Sequence, residues 1–264
     1  IDKGEHWTKW TNGYPTVSTY DMVIHPREHD LVIGTFGRSF WVLDDIRPLR
    51  EMAEKGVEEL QEPVNVYPAP DAYLAEWRQA AGTRFAADGM YSGDNRPSGA
   101  RLTYSVNTEA LPEEEGAENG SEESGSEKEE KVTVAIFDDA GNKIRTLETT
   151  PENEGINRMT WGLERKGVQN PSRTKPRLRD SEPGGRDVLP GTYKVTFSYG
   201  DFSDSTMVTV KADPRLDISI SDMRAQDAAY RELEAITEKA TEGFDRLKEA
   251  RKTVARINKA MEVA

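Results

Sequence analysis

The chain is predicted to be mainly β, ending in one long α-helix. Three observations predict this. Short segments rich in β-branched and aromatic residues fill the first 46 positions between turn residues, segments alternating apolar with polar residues run from Gly99 to Lys211, and apolar residues then recur every three or four positions toward the C-terminus.

The opening residues Ile1-Asp2-Lys3-Gly4-Glu5-His6-Trp7 read as a hairpin turn. An Asp side chain can accept hydrogen bonds from amides two residues on, Gly tolerates positive φ, and Trp covers a hairpin with an apolar face. Asp2 as a catalytic acid is the competing reading, set aside because turn-forming Asp is far commoner. Strands are expected over His6 to Thr11, Tyr20 to His25, Asp30 to Thr35 and Ser39 to Leu43, separated by Asn12-Gly13, Pro26-Arg27-Glu28 and Gly37-Arg38. Four strands at this spacing suit one blade of a propeller. Such a blade cannot bury both faces alone, so neighbouring blades are expected beside residues 1–46.

Within this stretch, Gly34 and Gly37 suit a close backbone approach, and the Gly34 to Ser39 turn, with Arg38, is the competing ligand-touching candidate. His25 and His29 have the His-x-x-x-His spacing of a zinc pair on a helix. Pro26 makes the segment a turn instead, and no third ligand of convincing spacing follows, so they read as turn histidines.

Residues 47–62 form a helical connector, with Pro48 in its first turn and Gly56 as an interruption. Residues 63–215 form the second β unit. Its strands are expected at Pro63 to Pro70, Arg101 to Asn107, Lys131 to Asp138, Lys143 to Glu148, Ile156 to Leu163, Thr192 to Tyr199 and Ser205 to Lys211, with a hairpin turn at Asp138 to Asn142. Tyr73 to Asn95 reads as irregular. Antiparallel strands with alternating faces make a β-sandwich of immunoglobulin type.

An acidic insertion at 108–130 interrupts this unit. Pro112 to Glu130 holds nine Glu and one Lys, and so carries −8 of the chain's net −13. It is too poor in apolar residues to offset its ordering entropy and is expected to be a disordered surface loop, with calcium or partner capture as the alternative. Lys166 to Arg186 reads as a long basic loop, the alternative being a site for an acidic partner.

Residues 219–264 carry an amphipathic helix, with Ser221 as the expected N-cap and Asp222 in the first turn. Ile236, Ala240, Phe244, Leu247, Ala250, Val254, Ile257 and Met261 make its stripe, which a helix this long must lay on something: a core or a second copy. The near balance of Glu and Lys on its polar face argues against a membrane-surface helix.

Composition bounds the function. With 35% apolar and 31% charged residues the chain is polar, its apolar runs are far shorter than the roughly 20 residues a membrane span needs, and it has no cysteine. No basic patch suited to nucleic acid is found. No Gly-rich phosphate loop, Gly-x-Ser-x-Gly elbow or His-Glu-x-x-His motif occurs, so no catalytic, cofactor-binding or metal residue is assigned. The missing initiator Met and the lack of a signal-like start lead to the expectation that the chain is the tail of a larger protein, and the uncapped helix to the expectation that it continues beyond Ala264.

The opening turn resembles the Asp-box of neuraminidase-type propellers, with Asp2, Gly4 and Trp7 in place and His6 where Thr is usual. Tyr20 to Asp45, YDMVIHPREHDLVIGTFGRSFWVLDD, resembles the closing blade of bacterial sortilin-like, neuraminidase-repeat propeller proteins. The second unit, through Pro97 to Tyr104, VAIFDDAGNKIRTL, GINRMTWGL, VLPGTYKVTF and Asp213-Pro214-Arg215, resembles the immunoglobulin-like domain that follows that propeller. The resemblance implies that Trp161 is a core aromatic, that Leu189 to Tyr193 turns into a central strand, and that the protein is exported. It further implies structural support and extracellular peptide or glycan binding. The alternative is the accessory end of a propeller glycoside hydrolase whose paired carboxylates lie upstream.

Overall fold

The structure, a computed structural model, describes residues 4–10, 13–75, 96–111, 131–173 and 182–263. It consists mostly of strands in several sheets, followed by a long C-terminal helix.

The N-terminal sheet contains β1 (Thr19–Ile24), β2 (Leu31–Thr35) and β3 (Phe40–Leu43), antiparallel in that order. The expected fourth strand is absent: no strand forms over His6 to Trp10, and Thr11 lies outside the described residues. Trp7 turns back on its own segment instead, its Nε1 donating to the Gly4 carbonyl at 2.9 Å, with Gly4 at φ +95°. Asp2 also lies outside the described residues. The turn between β1 and β2 is as expected, with the Glu28 amide donating to His25 Nδ1 at 3.1 Å and His29 at φ +58°. Gly37, at φ +78°, has open space where a Cβ would stand, so its requirement is conformational and not the close approach expected.

Asp45 and Ile46, both buried, lead into α1 (Arg47–Lys55), which has Pro48 in its first turn and ends at Gly56, φ +98°. A 3-10 turn, Val57–Gln61, completes the connector.

Two further sheets share one core. The smaller pairs β4 (Val64–Val66), β6 (Ala100–Val106) and β9 (Gly155–Trp161); the larger has β5 (Ala72–Leu74), β7 (Val132–Phe137), β8 (Lys143–Thr149), β12 (Gly191–Tyr199) and β13 (Phe202–Ala212) in the order β5-β13-β12-β7-β8. Period-2 alternation explains the packing: Val132, Val134 and Ile136 of β7, Val195 and Phe197 of β12 and Val208 and Val210 of β13 point inward, against Leu102, Tyr104 and Val106 of β6. Tyr104 and Phe197 meet across the sheets with ring centroids 5.0 Å apart. Trp161 is fully buried, edge-on to Tyr193 at 5.5 Å, and its Nε1 donates to the Glu164 carbonyl at 2.9 Å.

The structure corrects two readings of this unit. β5 overlaps the start of the segment taken as irregular and pairs parallel with β13, so the sheet is not wholly antiparallel. The ends of the supposed basic loop form a strand pair, β10 (Glu164–Lys166) with β11 (Gly184–Asp187). A Cβ on Gly167 or Gly185 would collide with the backbone across this ladder, so glycines are required where apolar alternation is missing. The segments 76–95, 112–130 and 174–181, including most of the acidic insertion, lie outside the described residues.

Helix α2 (Ile220–Val263) runs unbroken for 44 residues, about 66 Å at 1.5 Å per residue. Its cap is Ser219, two residues before the expected Ser221: the Asp222 amide donates to Ser219 Oγ at 3.1 Å. Among the described residues, no helix is long and apolar enough to cross a membrane.

Candidate functional site

A cleft of about 240 Å3 opens where one end of the larger sheet meets the start of α2. Three features of the sequence build it. The β7–β8 turn supplies Asp138 and Asp139, the turn into β12 supplies Leu189 to Tyr193, and the first turns of α2 supply Arg224, Asp227 and Arg231, with Arg165 of β10 alongside.

Asp138 organises its own turn. Its carboxylate accepts from the Ala140 amide at 3.1 Å, the Asn142 amide at 2.8 Å and Asn142 Nδ2 at 3.2 Å, while Gly141 adopts φ +80°. Burial acts to lift this carboxyl, but those hydrogen bonds, with Arg165 nearby, outweigh it and hold Asp138 below the usual carboxylate range. Tyr193 closes the opposite wall, donating its hydroxyl to the Leu189 carbonyl at 2.6 Å. Burial pushes its phenol up to about 12, against a partial pull from Arg165 and with added push from Asp139, Asp138 and Asp227.

Asp227 fastens the helix to the sheet. Arg186 of β11 reaches its Oδ1 at 3.1 Å and its carbonyl at 2.8 Å, and Arg231 pairs with Oδ2 at 2.9 Å. Among the described residues, Asp139, Arg165 and Arg224 make no side-chain hydrogen bond, so two guanidinium groups and one carboxylate face the cleft with donors and acceptors to spare. This suits a small polar or anionic group. It does not suit proton transfer: Asp138 is held ionised and Tyr193 protonated, each committed to its own turn.

A second feature is a surface. Tyr20, Met22, Val23, Phe36, Phe40 and Val42 of the N-terminal sheet are exposed, and Met22 and Val23 are neighbours in β1, so apolar side chains stand on both faces of that strand. Tyr20 and Phe36 stack on one another at 5.8 Å. The sheet joins the rest of the molecule through charge: Arg158 donates to the carbonyls of Asp44 and Asp45, Arg101 pairs with Asp44 at 3.1 Å, and Arg96 bridges Glu28 and Asp30. Burial, with Arg96, draws the Arg101 guanidinium below its ordinary value, against the pull of Asp44. The Gly34 to Ser39 turn projects Arg38 into solvent beside exposed Phe36, apart from the cleft.

None of the cleft residues was assigned a role from the sequence. They come from four separated segments and have no spacing in common; the readable parts were the Asp138 to Asn142 turn and the Leu189 to Tyr193 turn, each as a turn and not as part of a site. His29 sits against Arg50, its Nδ1 3.0 Å from the guanidinium, and no cluster of three or more metal-ligating side chains occurs among the described residues.

Compared with models of protein families, with curated proteins and with solved structures, the chain matches none of them.

Proposed function

We propose that this chain is a non-catalytic supporting and binding region of an exported propeller protein of the sortilin-like, Asp-box type. In this reading residues 19–43 belong to a terminal blade and the two sheets after it form an immunoglobulin-like sandwich. One observation carries the proposal: β1 exposes apolar side chains on both faces and lies at the edge of its sheet, the condition of a blade strand that needs neighbours. The cleft between Asp139, Arg165 and Arg224 supports binding of a polar group such as a peptide carboxylate or a glycan, and its ionised Asp138 and protonated Tyr193 support binding over acid–base catalysis.

The test extends the expressed polypeptide toward the N-terminus along its own coding sequence. Hydrogen exchange in 19–43 is expected to slow sharply while that in 132–210 stays unchanged, and a glycan panel is expected to yield binding without hydrolysis. Unchanged exchange in 19–43 overturns the blade reading. Hydrolysis by the extended protein overturns the non-catalytic one.

A further inference from the structure

The long helix docks by a side next to the apolar stripe its sequence advertises, and of that stripe only Phe244 is partly buried. Met223, Asp227, Glu234, Thr237, Thr241, Phe244 and Lys248 are its partly buried positions. They hold it to the body through polar contacts: Asp227 to Arg186, the Thr241 hydroxyl to the Gln169 carbonyl at 2.7 Å, and Lys248 Nζ to the Ser172 carbonyl at 2.8 Å. Apart from Met223 and Phe244, the large apolar residues stand elsewhere. Leu233, Ala240, Leu247, Val254 and Met261 recur every seven positions, interleaved by Ile236, Gly243, Ala250 and Ile257 three positions on, and the large members are 53% to 70% exposed. A strict seven-residue repeat of this kind is the seam of a coiled coil.

We propose that this seam is filled by the same seam of a second copy, running antiparallel, so that the chain dimerises through α2. Size and charge along the seam select the occupant and its direction. With Ile236 opposite Met261 of the second copy, Ala240 falls opposite Ile257, Gly243 opposite Val254 and Leu247 opposite Ala250. Each small residue then receives a large one, as knobs-into-holes packing requires. A Cβ at Gly243 would meet nothing within 4 Å, so the space for Val254 is open. The charged residues flanking the seam from 237 to 260 are Lys239, Arg246 and Arg251, all cationic. A parallel pair would set Arg246 against Arg251 of the other copy. The antiparallel register instead sets Arg246 beside Thr253 and Arg251 beside Phe244, so that these two arginines no longer face one another. The large seam side chains of two copies expose on the order of 1,000 Å2, and the flanking residues bring the buried total into the roughly 1,200–2,000 Å2 range of specific interfaces.

The experiment uses the whole chain and light scattering across a concentration series. Twice the monomer mass is expected, and Leu247→Asp is expected to return the monomer with helix content unchanged by circular dichroism. Because the chain has no cysteine, orientation can be read by oxidative cross-linking. Ile236→Cys and Met261→Cys chains are each expected to stay uncross-linked alone and to link when mixed. A wild-type monomer at the highest concentration reached overturns the proposal, as does a dimer that Leu247→Asp leaves intact. Cross-linking of Ile236→Cys with itself overturns the antiparallel register.

Discussion

The N-terminal sheet and the two-sheet unit are made of the same kind of strand, yet one closes and the other does not. β7 places Val132, Val134 and Ile136 on one face and finds a second sheet there; β1 places Tyr20, Met22 and Ile24 on one face and finds solvent. The difference lies in what stands opposite. An alternating strand specifies which side is to be buried, and only a partner layer of matching apolar area completes the burial. What holds β1–β3 to the rest is therefore a joint of arginines on carboxylates and carbonyls.

The largest effect expected from this contrast is in the closed core. Trp161→Ala removes a fully buried indole and its hydrogen bond to the Glu164 carbonyl, and should cost about 3–5 kcal/mol. Chemical denaturation followed by tyrosine fluorescence measures it. A cost below about 1 kcal/mol would mean that the two sheets are not held by this core.

Next comes the joint. Arg158→Met keeps the apolar stem and deletes both hydrogen bonds to the Asp44 and Asp45 carbonyls, one of them on a buried residue. About 1–3 kcal/mol is expected, the range for stranding buried acceptors. The loss should be local: hydrogen exchange rises in 19–46 and stays unchanged in 132–210. Equal loosening of both regions would show that sheet and core unfold as one unit and remove the contrast.

The core should also show its closure in alkali. Burial raises the folded-state value of Tyr193 to about 12 from a free tyrosine's value near 10, and burial raises Tyr104 as well. For an acid whose folded value is raised, the neutral form is favoured in the fold, so the stabilisation is complete below about pH 10. It is lost as pH climbs toward 12. Denaturant midpoints should fall over that window, and Tyr193→Phe should flatten the fall.

How much of this was legible in the sequence depended on where the deciding partner sat. β7, β8, β9, β12 and β13 were readable because local alternation and an Asp–Gly turn specify them. β10 and β11 were not, since Gly184-Gly185 has no alternation to read and its ladder exists only because Gly167 and Arg165 come close from across the loop. The apolar stripe of α2 was readable, but not its direction: Arg186 and the carbonyls of Gln169 and Ser172 turn the polar side inward, and all of them are remote in sequence. The cleft was hidden for the same reason.

The smallest effect is the most discriminating. Met22→Thr on β1 replaces an exposed apolar side chain with a good strand former, and should change stability by no more than about 0.5 kcal/mol in the chain studied alone. If β1 is a blade strand, as proposed, the same substitution in a polypeptide extended toward the N-terminus should cost roughly 1–3 kcal/mol, because the thioether would then lie in a packed interface and its replacement would leave a hydroxyl there. The ratio of the two costs measures closure directly. If Met22→Thr is already expensive in this chain, its sheet is covered in solution, and the two regions differ only in what covers them.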